Sequence, residues 1–507
     1  MTTTNGTPIT AAATAAATAP ATAPTGAEVT TGFEMVVGLE VHVQLKTASK
    51  AFCGCSTDFG AAPNRNTCPV CLALPGALPV LNGRAVELAL RVALGLGCTV
   101  NGRSIFARKN YFYPDLPKGY QISQHDEPIA EHGTLDIGLT VDGTARVIGI
   151  TRAHMEEDAG KSIHDRYEAA TAVDLNRSGV PLVEIVSEPD MRSPEEAGAY
   201  LRTLKQILLY LDISDCNMEE GSLRVDANVS ARPFGEQKLG TKCEVKNMNS
   251  FSGVEKALAA EFRRQCGVLR AGGTVQQQTL LWDGHRNEIR PARSKEGSSD
   301  YRYFPEPDLP PLVITADEIE HVRASLPELP AARRTRYAAM KLSEYDVQEL
   351  TADPATGPYF ESVLALHGDP KAVANWVNGE VRATLNESGA AWDAVTLAPA
   401  RLGALLDLVR DGVVSSSAAK KLYAQLLTSP DTARAIAERD GLIQVRDDNA
   451  LAGWVAEVLA DNPAEAARFA AGEKKLTGLL VGLVMKKSQG RADPKLVNQL
   501  LASRAAG

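Results

Sequence analysis

The sequence lacks long hydrophobic runs. Its longest apolar stretch extends only from Gly478 to Met485, whereas a helix needs about 20 apolar residues to cross a bilayer. No lysine or arginine precedes Lys46, so neither the basic start of a secretion signal nor the arginines of a transit peptide are present. We therefore expect a cytoplasmic protein without a membrane-spanning segment. Residues 1–32, which are mainly Ala, Thr and Pro, are expected to be a disordered leader.

An excess of basic residues is also missing. With 53 Lys and Arg against 62 Asp and Glu, the chain has a formal net charge of -9 at pH 7, which argues against a protein that binds nucleic acid through its overall charge. The charge is unevenly distributed, because residues 396–507 carry 15 Lys and Arg against 12 Asp and Glu. This mildly basic C-terminal region could still contact a polyanion locally.

Among the segments that are present, Val37 to Leu45 alternates strictly between apolar and polar residues, which predicts a strand with two unlike faces. Glu40 and His42 share the polar face, roughly 6.5–7 Å apart, because a strand rises about 3.3 Å per residue. A carboxylate beside an imidazole can bind a metal ion or transfer a proton. The alternative is a polar face that is simply solvated.

Four cysteines form two closely spaced pairs, Cys53 with Cys55 and Cys68 with Cys71. This spacing is typical of a tetrahedral zinc site, and four thiolate ligands leave no open coordination position. We therefore expect a structural zinc ion that stabilises a loop. The alternatives are four unconnected reduced cysteines or a redox-active disulfide pair.

Two further segments bring together groups that could contact a nucleotide or a cation. Arg108 to Gln124 combines aromatic, proline and basic residues without periodicity, which indicates a shaped loop able to contact a nucleotide or an RNA end. His154 to Ser162 ends in Gly-Lys-Ser, but Met155 stands where a Walker loop requires glycine, so we reject a phosphate loop. Its three consecutive carboxylates favour a cation site, with an exposed acidic turn as the alternative.

The N-terminal part is predicted to be an antiparallel sheet with one packed face and one open, charged face. Leu223 to Ser230 and Lys242 to Lys246 alternate between apolar and polar or charged residues. Val173 to Asp190 has the pattern of strand, turn and strand, with Glu184 inside an apolar run. A carboxylate in such a run needs a partner or a function. Residues 84–96 and 254–269 are predicted to be helical.

The remainder of the chain is predicted to be helical. Prolines at positions 305, 307, 310 and 311 mark one boundary, and Pro399 marks a second. The pattern then predicts helices at about 400–411, 415–428, 449–459, 463–487 and 494–504. The fold class is therefore α+β, and the expected domains are a leader at 1–32, a cradle at 33–308, an all-α connector at 309–398 and an all-α tail at 399–507.

Six segments carry a resemblance to a known family. They are Gly38-Leu-Glu-Val-His42, Arg108-Lys-Asn-Tyr-Phe-Tyr-Pro-Asp115, His154-Met-Glu-Glu-Asp-Ala-Gly-Lys161, Leu175-Asn-Arg-Ser-Gly-Val-Pro-Leu-Val-Glu184, Glu219-Glu-Gly-Ser-Leu-Arg224 and Asp300-Tyr-Arg-Tyr-Phe-Pro-Glu-Pro-Asp308. In this order they closely resemble the GatB/GatE family, whose members are components of tRNA-dependent amidotransferases. The likeness extends from about Phe33 to the C-terminus.

The resemblance implies an open catalytic cradle with a zinc knuckle, a helical connector and a YqeY-like tail that contacts tRNA. It implies a heterotrimer with amidotransferase subunits A and C, in which ATP phosphorylates the side-chain carboxylate of Glu or Asp mis-acylated onto tRNA(Gln) or tRNA(Asn). Ammonia from glutamine, hydrolysed in the first of these two partners, then displaces the phosphate. The implied cofactors are ATP, Mg²⁺ and structural Zn²⁺. The implied catalytic and magnesium-binding residues are Glu40, His42, Glu157 and Glu184.

The residues agree with this chemistry, because phosphoryl transfer needs charge neutralisation more than covalent help. His42 is an unusual ligand for Mg²⁺, which prefers six oxygens, so it is expected to act through a water or to favour Mn²⁺. Two alternatives stay open: a non-catalytic, zinc-stapled tRNA-binding or assembly protein, and a freestanding metal hydrolase. The sequence assigns no residues to the ATP base or to an ammonia channel.

Overall fold

Strand β1, Phe33–Gln44, lies within a large sheet and organises the N-terminal part of the chain. The computed structural model describes residues 29–140, 143–292, 301–445, 447–488 and 490–505. Residues 1–28 of the predicted leader lie outside this set. The last leader residues do contact the fold, since the backbone amide of Phe234 donates a 2.9 Å hydrogen bond to the carbonyl oxygen of Gly32.

The chain divides into two compact units, one formed by residues up to 204 together with 214–322, the other by residues 205–213 together with 323 onward. The first unit contains the strands, two long helices and the first part of a third, Pro194–Tyr210. After β1 the strands are β2 (Thr99–Val100), β3 (Arg103–Ser104), β4 (Ala107–Asn110), β5 (Tyr120–Ser123), β6 (Ala130–Leu139), β7 (Ala145–Glu157), β8 (Lys161–Tyr167), β9 (Ala170–Asp174), β10 (Pro181–Ser187), β11 (Leu223–Pro233), β12 (Cys243–Lys246), β13 (Thr279–Asp283), β14 (Glu288–Pro291), β15 (Phe304–Pro305) and β16 (Leu312–Val313). The helices are α1 (Gly83–Gly95), α2 (Pro194–Tyr210) and α3 (Phe251–Arg270).

The main sheet has the strand order β14-β13-β12-β11-β1-β10-β7-β5-β4-β15, and β6 pairs with β7 at the side. The main-sheet pairs are antiparallel except β12 with β13, which is parallel. Leu39, Val41 and Val43 of β1 are completely buried on one face, and helix α3 packs against β11 while α1 packs against β7. The predicted sheet with one packed face is therefore confirmed.

One prediction for this unit needs correction, and one alternative is excluded. The aromatic segment after Arg108 is not a loop throughout, because its ends form strands β4 and β5 and only residues 111–119 connect them. The acidic segment after His154 is not an exposed turn either. His154, Glu156 and Glu157 continue β7 and are buried, since the strand extends further than its local charge indicates.

The second part of the chain is helical, as predicted. Its helices are α4 (Ala316–Ala324), α5 (Pro330–Ala339), α6 (Glu344–Thr351), α7 (Thr356–His367), α8 (Pro370–Trp376), α9 (Arg382–Ser388), α10 (Pro399–Arg410), α11 (Ser416–Leu426), α12 (Ala433–Arg439), α13 (Asp448–Asp461), α14 (Pro463–Ala470), α15 (Thr477–Lys487) and α16 (Pro494–Ala505). Among the described residues, no helix combines the length and apolar character required to span a membrane.

The predicted long helix at 463–487 is interrupted. Helix α14 ends at Ala470, and a 3₁₀ turn, Lys474–Leu476, precedes α15. Gly472 lies between them with a φ of 97°, a conformation that glycine adopts without steric cost. Helix α12, whose first turn is capped by the side chain of Thr432, was not predicted from the sequence.

The hydrophobic core of the second unit does not separate at Pro399. Phe360 of α7 and Leu405 of α10 belong to one cluster of buried residues that extends from Tyr337 to Ala437. A second cluster extends from Leu451 to Leu501. The predicted boundary between connector and tail therefore stays a prediction, although Pro399 does begin a helix.

Candidate active site

A row of ionisable side chains crosses three neighbouring strands on the open face of the sheet. The pairing of β1 with β10 places His42 opposite Glu184. The pairing of β10 with β7 places Glu184 opposite His154. Directly opposed residues have Cβ atoms about 4.5–5.5 Å apart, so their side chains meet. Strand register thus brings together residues that lie far apart in the sequence.

His42, Glu156 and Glu184 form the first cluster on this face. The Nε2 atom of His42 lies 3.5 Å from Oε1 of Glu156 and 3.5 Å from Oε2 of Glu184. The Nε2 atom of His154 lies 3.1 Å from the same oxygen of Glu184. Both carboxylates are buried, with 4% and 6% of their residue surface exposed. Two buried carboxylates whose oxygens lie within 4.8 Å of each other require positive charge nearby.

The charge around Glu184 is partly provided by the chain itself. Burial raises the pKa of Glu184, but His154, His42 and Lys109 outweigh it and hold the pKa below its ordinary value. Burial lowers the pKa of Lys109, but the nearby carboxylates of Glu156 and Glu184 outweigh burial and raise this pKa above its ordinary value. The Lys109 ammonium lies 5.1 Å from the centroid of the Tyr301 ring. Lys109 is therefore a cation held beside the first cluster.

Glu40, Asp226 and Glu244 form a second cluster. Glu40 lies opposite Asp226 in the pairing of β1 with β11, and its Oε1 accepts a 3.0 Å hydrogen bond from Asn228. The Lys246 ammonium contacts Asp226 and lies 2.9 Å from Oε1 of Glu244. Burial and the neighbouring carboxylates raise the pKa of Glu40, and Lys246 offsets them only in part.

Of the predicted magnesium set, only His42 and Glu184 share a cluster. Glu40 belongs to the second cluster, and Glu157 lies apart from both. The Glu157 carboxylate contacts the Lys118 ammonium and accepts a 2.9 Å hydrogen bond from the backbone amide of Ile122. It lines a separate cavity of about 200 Å³ together with Lys118 and Cys71. Successive side chains of a strand point to opposite faces, so Glu156 takes the position by His42 that the sequence analysis assigned to Glu157.

Asp158, the third carboxylate of the acidic segment, is held in place by hydrogen bonds and ion pairs within the fold. It accepts hydrogen bonds from Arg224 at 3.0 Å and from Gln44 at 2.9 Å, and Arg177 lies 3.6 Å away. Burial raises the pKa of Asp158, but the two guanidinium groups outweigh this effect and lower it. Asp158 therefore links the end of β7 to β1 and β11.

The first cluster suits a divalent cation better than the second. Ligand oxygens around Mg²⁺ lie about 2.1 Å from the ion and hence roughly 3 Å from one another, close to the 3.5 Å separations around His42. A set of one nitrogen and two oxygens also fits Mn²⁺. In the second cluster a lysine ammonium already lies among the oxygens. Nδ1 of His154 is buried without a hydrogen-bond partner among the described residues.

A cavity of about 290 Å³ opens beside Glu40 on the same face. Gly38, two residues before Glu40 on β1, lines this cavity. A Cβ atom at Gly38 would lie 3.7 Å from Pro189 and from Ser187, which is ordinary van der Waals contact. The backbone therefore does not require glycine at this position, and the absence of a side chain leaves the cavity open. The other lining residues include Val36, Val186, Asn228, Leu239 and Lys242.

The four predicted zinc ligands Cys53, Cys55, Cys68 and Cys71 lie together, with their sulfur atoms within 4.8 Å of one another. The sulfurs of Cys68 and Cys71 are 3.9 Å apart, and thiolates about 2.3 Å from one tetrahedral zinc ion have nearly this spacing. A hydrogen bond from Cys53 lowers the pKa of Cys71 to about 5 against the effect of burial, with Lys50 assisting. All eight cysteines are free, so the geometry fits a closed metal site.

Several residues of this face were not included in the predicted site. Glu156 could have been found from its spacing, because it follows His154 by two positions and therefore shares its face in a strand. Lys109 had only a weak local signal, since an aromatic-rich segment is not periodic. Asp226, Glu244 and Lys246 alternate visibly in the sequence, but nothing local indicates that they approach Glu40.

Two family models match the chain: the GatB/GatE catalytic domain over residues 35–320 and the GatB domain over residues 358–504. The B subunit of an aspartyl/glutamyl-tRNA(Asn/Gln) amidotransferase from Solidesulfovibrio magneticus is 52% identical over 473 residues, which cover 93% of this chain and 99% of the relative. Proteins of the same name from Geobacter sulfurreducens and Thermosynechococcus vestitus are 52% and 51% identical, over 94% and 93% of this chain and 100% and 96% of their own lengths. The resemblance drawn from the six segments is confirmed, and the chain belongs to the GatB/GatE family of tRNA-dependent amidotransferase subunits.

Proposed function

We propose that this chain is the component of a tRNA-dependent amidotransferase that activates the side-chain carboxylate of Glu on tRNA(Gln), of Asp on tRNA(Asn), or of both, and converts it to the amide. The observation that carries the proposal is the first cluster, in which buried Glu156 and Glu184 converge with His42 beside the Lys109 ammonium. Such a gathering of charge serves phosphoryl transfer, which depends on positioning and charge neutralisation.

The proposed reaction has two steps. The substrate carboxylate oxygen attacks the γ-phosphorus of ATP, and ADP leaves. The nitrogen of ammonia then attacks the carbonyl carbon of the acyl phosphate, and phosphate leaves. Mg²⁺ or Mn²⁺ held by His42, Glu156 and Glu184 would neutralise charge on the transferred phosphoryl group. The chain's own cations, Lys109 and Lys246, would orient the anionic groups around this point.

We place the nucleoside of ATP in the cavity beside Glu40. The cavity adjoins the second cluster through Glu40, and its lining combines apolar side chains with a few polar groups, as small-molecule sites do. Gly38 precedes His42 by four residues, or roughly 13 Å along an extended strand. This separation suits an extended nucleoside triphosphate whose γ-phosphate reaches the first cluster.

The remaining features follow from the same proposal. An acyl phosphate reacts with water, so ammonia should be delivered inside a closed complex with subunits A and C, the first of which hydrolyses glutamine. The basic YqeY-like tail would contact the tRNA body. Cys53, Cys55, Cys68 and Cys71 would hold a structural zinc ion. We expect the complex to work in the cytoplasm.

The test is phosphate release from ATP by the complex with subunits A and C, with and without Glu-tRNA(Gln) or Asp-tRNA(Asn). We expect release by the wild type that depends on the charged tRNA and is lost in Glu156→Gln. A complex that binds either tRNA but never releases phosphate would instead support the non-catalytic tRNA-binding protein. Release by the isolated chain without tRNA would support a freestanding hydrolase.

A further inference from the structure

Lys50 is a fully buried lysine next to the four cysteines. None of its surface is exposed, and an ammonium group removed from water needs charged or hydrogen-bonding partners. Its Nζ donates a 2.6 Å hydrogen bond to the carbonyl oxygen of Asn66 and a 3.3 Å hydrogen bond to that of Leu175. The third contact is Sγ of Cys71 at 3.7 Å. Each of the three ammonium hydrogens therefore has a partner.

The three partners of Lys50 are not equivalent. The two carbonyl groups satisfy hydrogen bonds but carry no net charge, so of these three only a Cys71 thiolate can neutralise the ammonium. Conversely, four thiolates around one Zn²⁺ carry an excess of two negative charges, which is costly in a partly buried site. A cation beside one sulfur reduces that excess. The lysine and a zinc–thiolate site thus stabilise each other.

Lys50 also lies where the cysteine loop, residues 53–71, meets the turn at 175–179 that leads into β10. The backbone amide of Ala51 donates a 2.8 Å hydrogen bond to the carbonyl oxygen of Gly179. A Cβ atom at Gly179 would lie 3.5 Å from both Cβ of Cys71 and Cδ of Lys50. The stem of the lysine therefore fills the space between the cysteine loop and this turn, and the turn is followed by the strand that carries Glu184.

We propose that Lys50 is a positioning residue for the zinc site: its ammonium donates a hydrogen bond to the Cys71 thiolate, offsets the negative charge of the four-thiolate centre and joins that centre to the turn at 175–179. The inference rests on the proposed structural zinc. Groups that contact a metal ligand in this way change metal affinity by about 10- to 100-fold when they are replaced.

The experiment compares zinc binding in the complex with subunits A and C for the wild type, Lys50→Met and Lys50→Gln. Zinc content is measured after purification, and zinc affinity by competition with a chelator and a colorimetric indicator. Lys118→Met is the matched control. The side chain of Lys118 is also nearly buried and lines the cavity of about 200 Å³ that Lys50 lines, but its ammonium pairs with Glu157. Thermal melting of each variant shows which are folded.

We expect Lys50→Met and Lys50→Gln to bind zinc about 10- to 100-fold more weakly than the wild type, and Lys118→Met to bind it with unchanged affinity. Lys50→Gln keeps an N–H donor that can serve the carbonyl groups and removes the charge, on a side chain one atom shorter, so it remains informative if Lys50→Met does not fold. Wild-type affinity in the folded Gln variant would overturn the role of the charge, and equal weakening in Lys118→Met would show a general effect of losing a buried lysine.

The outcome is separable from that of the proposed function. A wild type that holds no zinc overturns both the structural zinc and the role of Lys50. A wild type that holds zinc but shows no tRNA-dependent phosphate release refutes the proposed catalysis and leaves the test of Lys50 intact. Substitution of Co²⁺ for zinc adds a spectroscopic readout, because the charge-transfer absorption of thiolate–cobalt bonds should shift when the hydrogen bond to Cys71 is removed.

Discussion

Replacing Glu156 by Gln should strongly weaken cation binding at the first cluster while preserving the fold. The amide has nearly the same shape as the carboxylate but carries no charge. Oε1 of Glu156 lies 3.5 Å from Nε2 of His42, and its Oε2 accepts a 3.5 Å hydrogen bond from Ser123 that the amide oxygen can retain. The change therefore removes one of the two carboxylates that face His42 and little else.

The size of the effect follows from Coulomb's law. Two unit charges about 4 Å apart interact by about 4 kcal/mol at an effective dielectric constant of about 20. A divalent cation is attracted twice as strongly, but the loss of hydration on binding offsets part of the gain, so about 4 kcal/mol is taken as the net contribution of one carboxylate. Glu156 is only 4% exposed, so salt screens this interaction weakly. Because about 1.4 kcal/mol corresponds to a factor of ten in affinity, loss of this carboxylate should weaken the binding of a divalent cation by about a thousandfold.

The assay is a titration with Mn²⁺, followed by the electron paramagnetic resonance signal of the free ion. Wild type, Glu156→Gln and Glu157→Gln are compared in the complex with subunits A and C. We expect Glu157→Gln to bind Mn²⁺ as the wild type does, because its carboxylate pairs with Lys118 on the other face. Glu157→Gln removes the charge that pairs with the buried Lys118 ammonium, which costs about 3–5 kcal/mol of stability. The titrations should therefore be carried out well below the melting temperature of this variant. Equal weakening in both variants would refute the assignment of Glu156.

Three further predictions concern other parts of the chain. Replacing Cys68 and Cys71 by Ser should remove zinc and lower the melting temperature more than the rate of phosphate release, because a closed zinc site contributes folding energy; a double variant with full zinc content would contradict this. Gly38→Ala should raise the KM for ATP by about tenfold or more, as one added methyl group does in a fitted pocket, whereas Gly453→Ala, which meets no neighbour within 4 Å, should not; equal KM values would argue against the nucleoside cavity. A hydrogen bond from Arg336 outweighs burial and lowers the pKa of Glu328 to about 2, so its stabilisation is present above the pKa of the unfolded chain and is lost as pH falls through the folded value. Glu328→Gln should therefore melt at a lower temperature near pH 7 and depend less on pH between about 5 and 2; parallel melting curves for variant and wild type would contradict the pairing.

Local pattern was sufficient for much of the fold. The alternation around Glu40 predicted a strand with Leu39, Val41 and Val43 on its buried face, because the two-residue period of a strand is visible in the sequence itself. The helices near 83–95, 251–270 and 399–410 were predicted within a few residues for the same kind of reason. The prediction failed where one residue changes the backbone, as at Gly472, or where tertiary pairing extends a strand through charged residues, as at Glu156.

By itself the sequence determined the family, the α+β class and which four cysteines lie close enough to share a metal ion. Each of these conclusions depends on short patterns of residues that are near one another in the chain. Only the tertiary structure decided which carboxylates meet. His42, Glu156 and Glu184 come from three strands, and their contact depends on a register that hydrogen bonds set between distant segments. Likewise, nothing in the sequence distinguishes Lys50 from a surface lysine; its burial and its contact with Cys71 exist only because the cysteine loop folds onto the turn before β10.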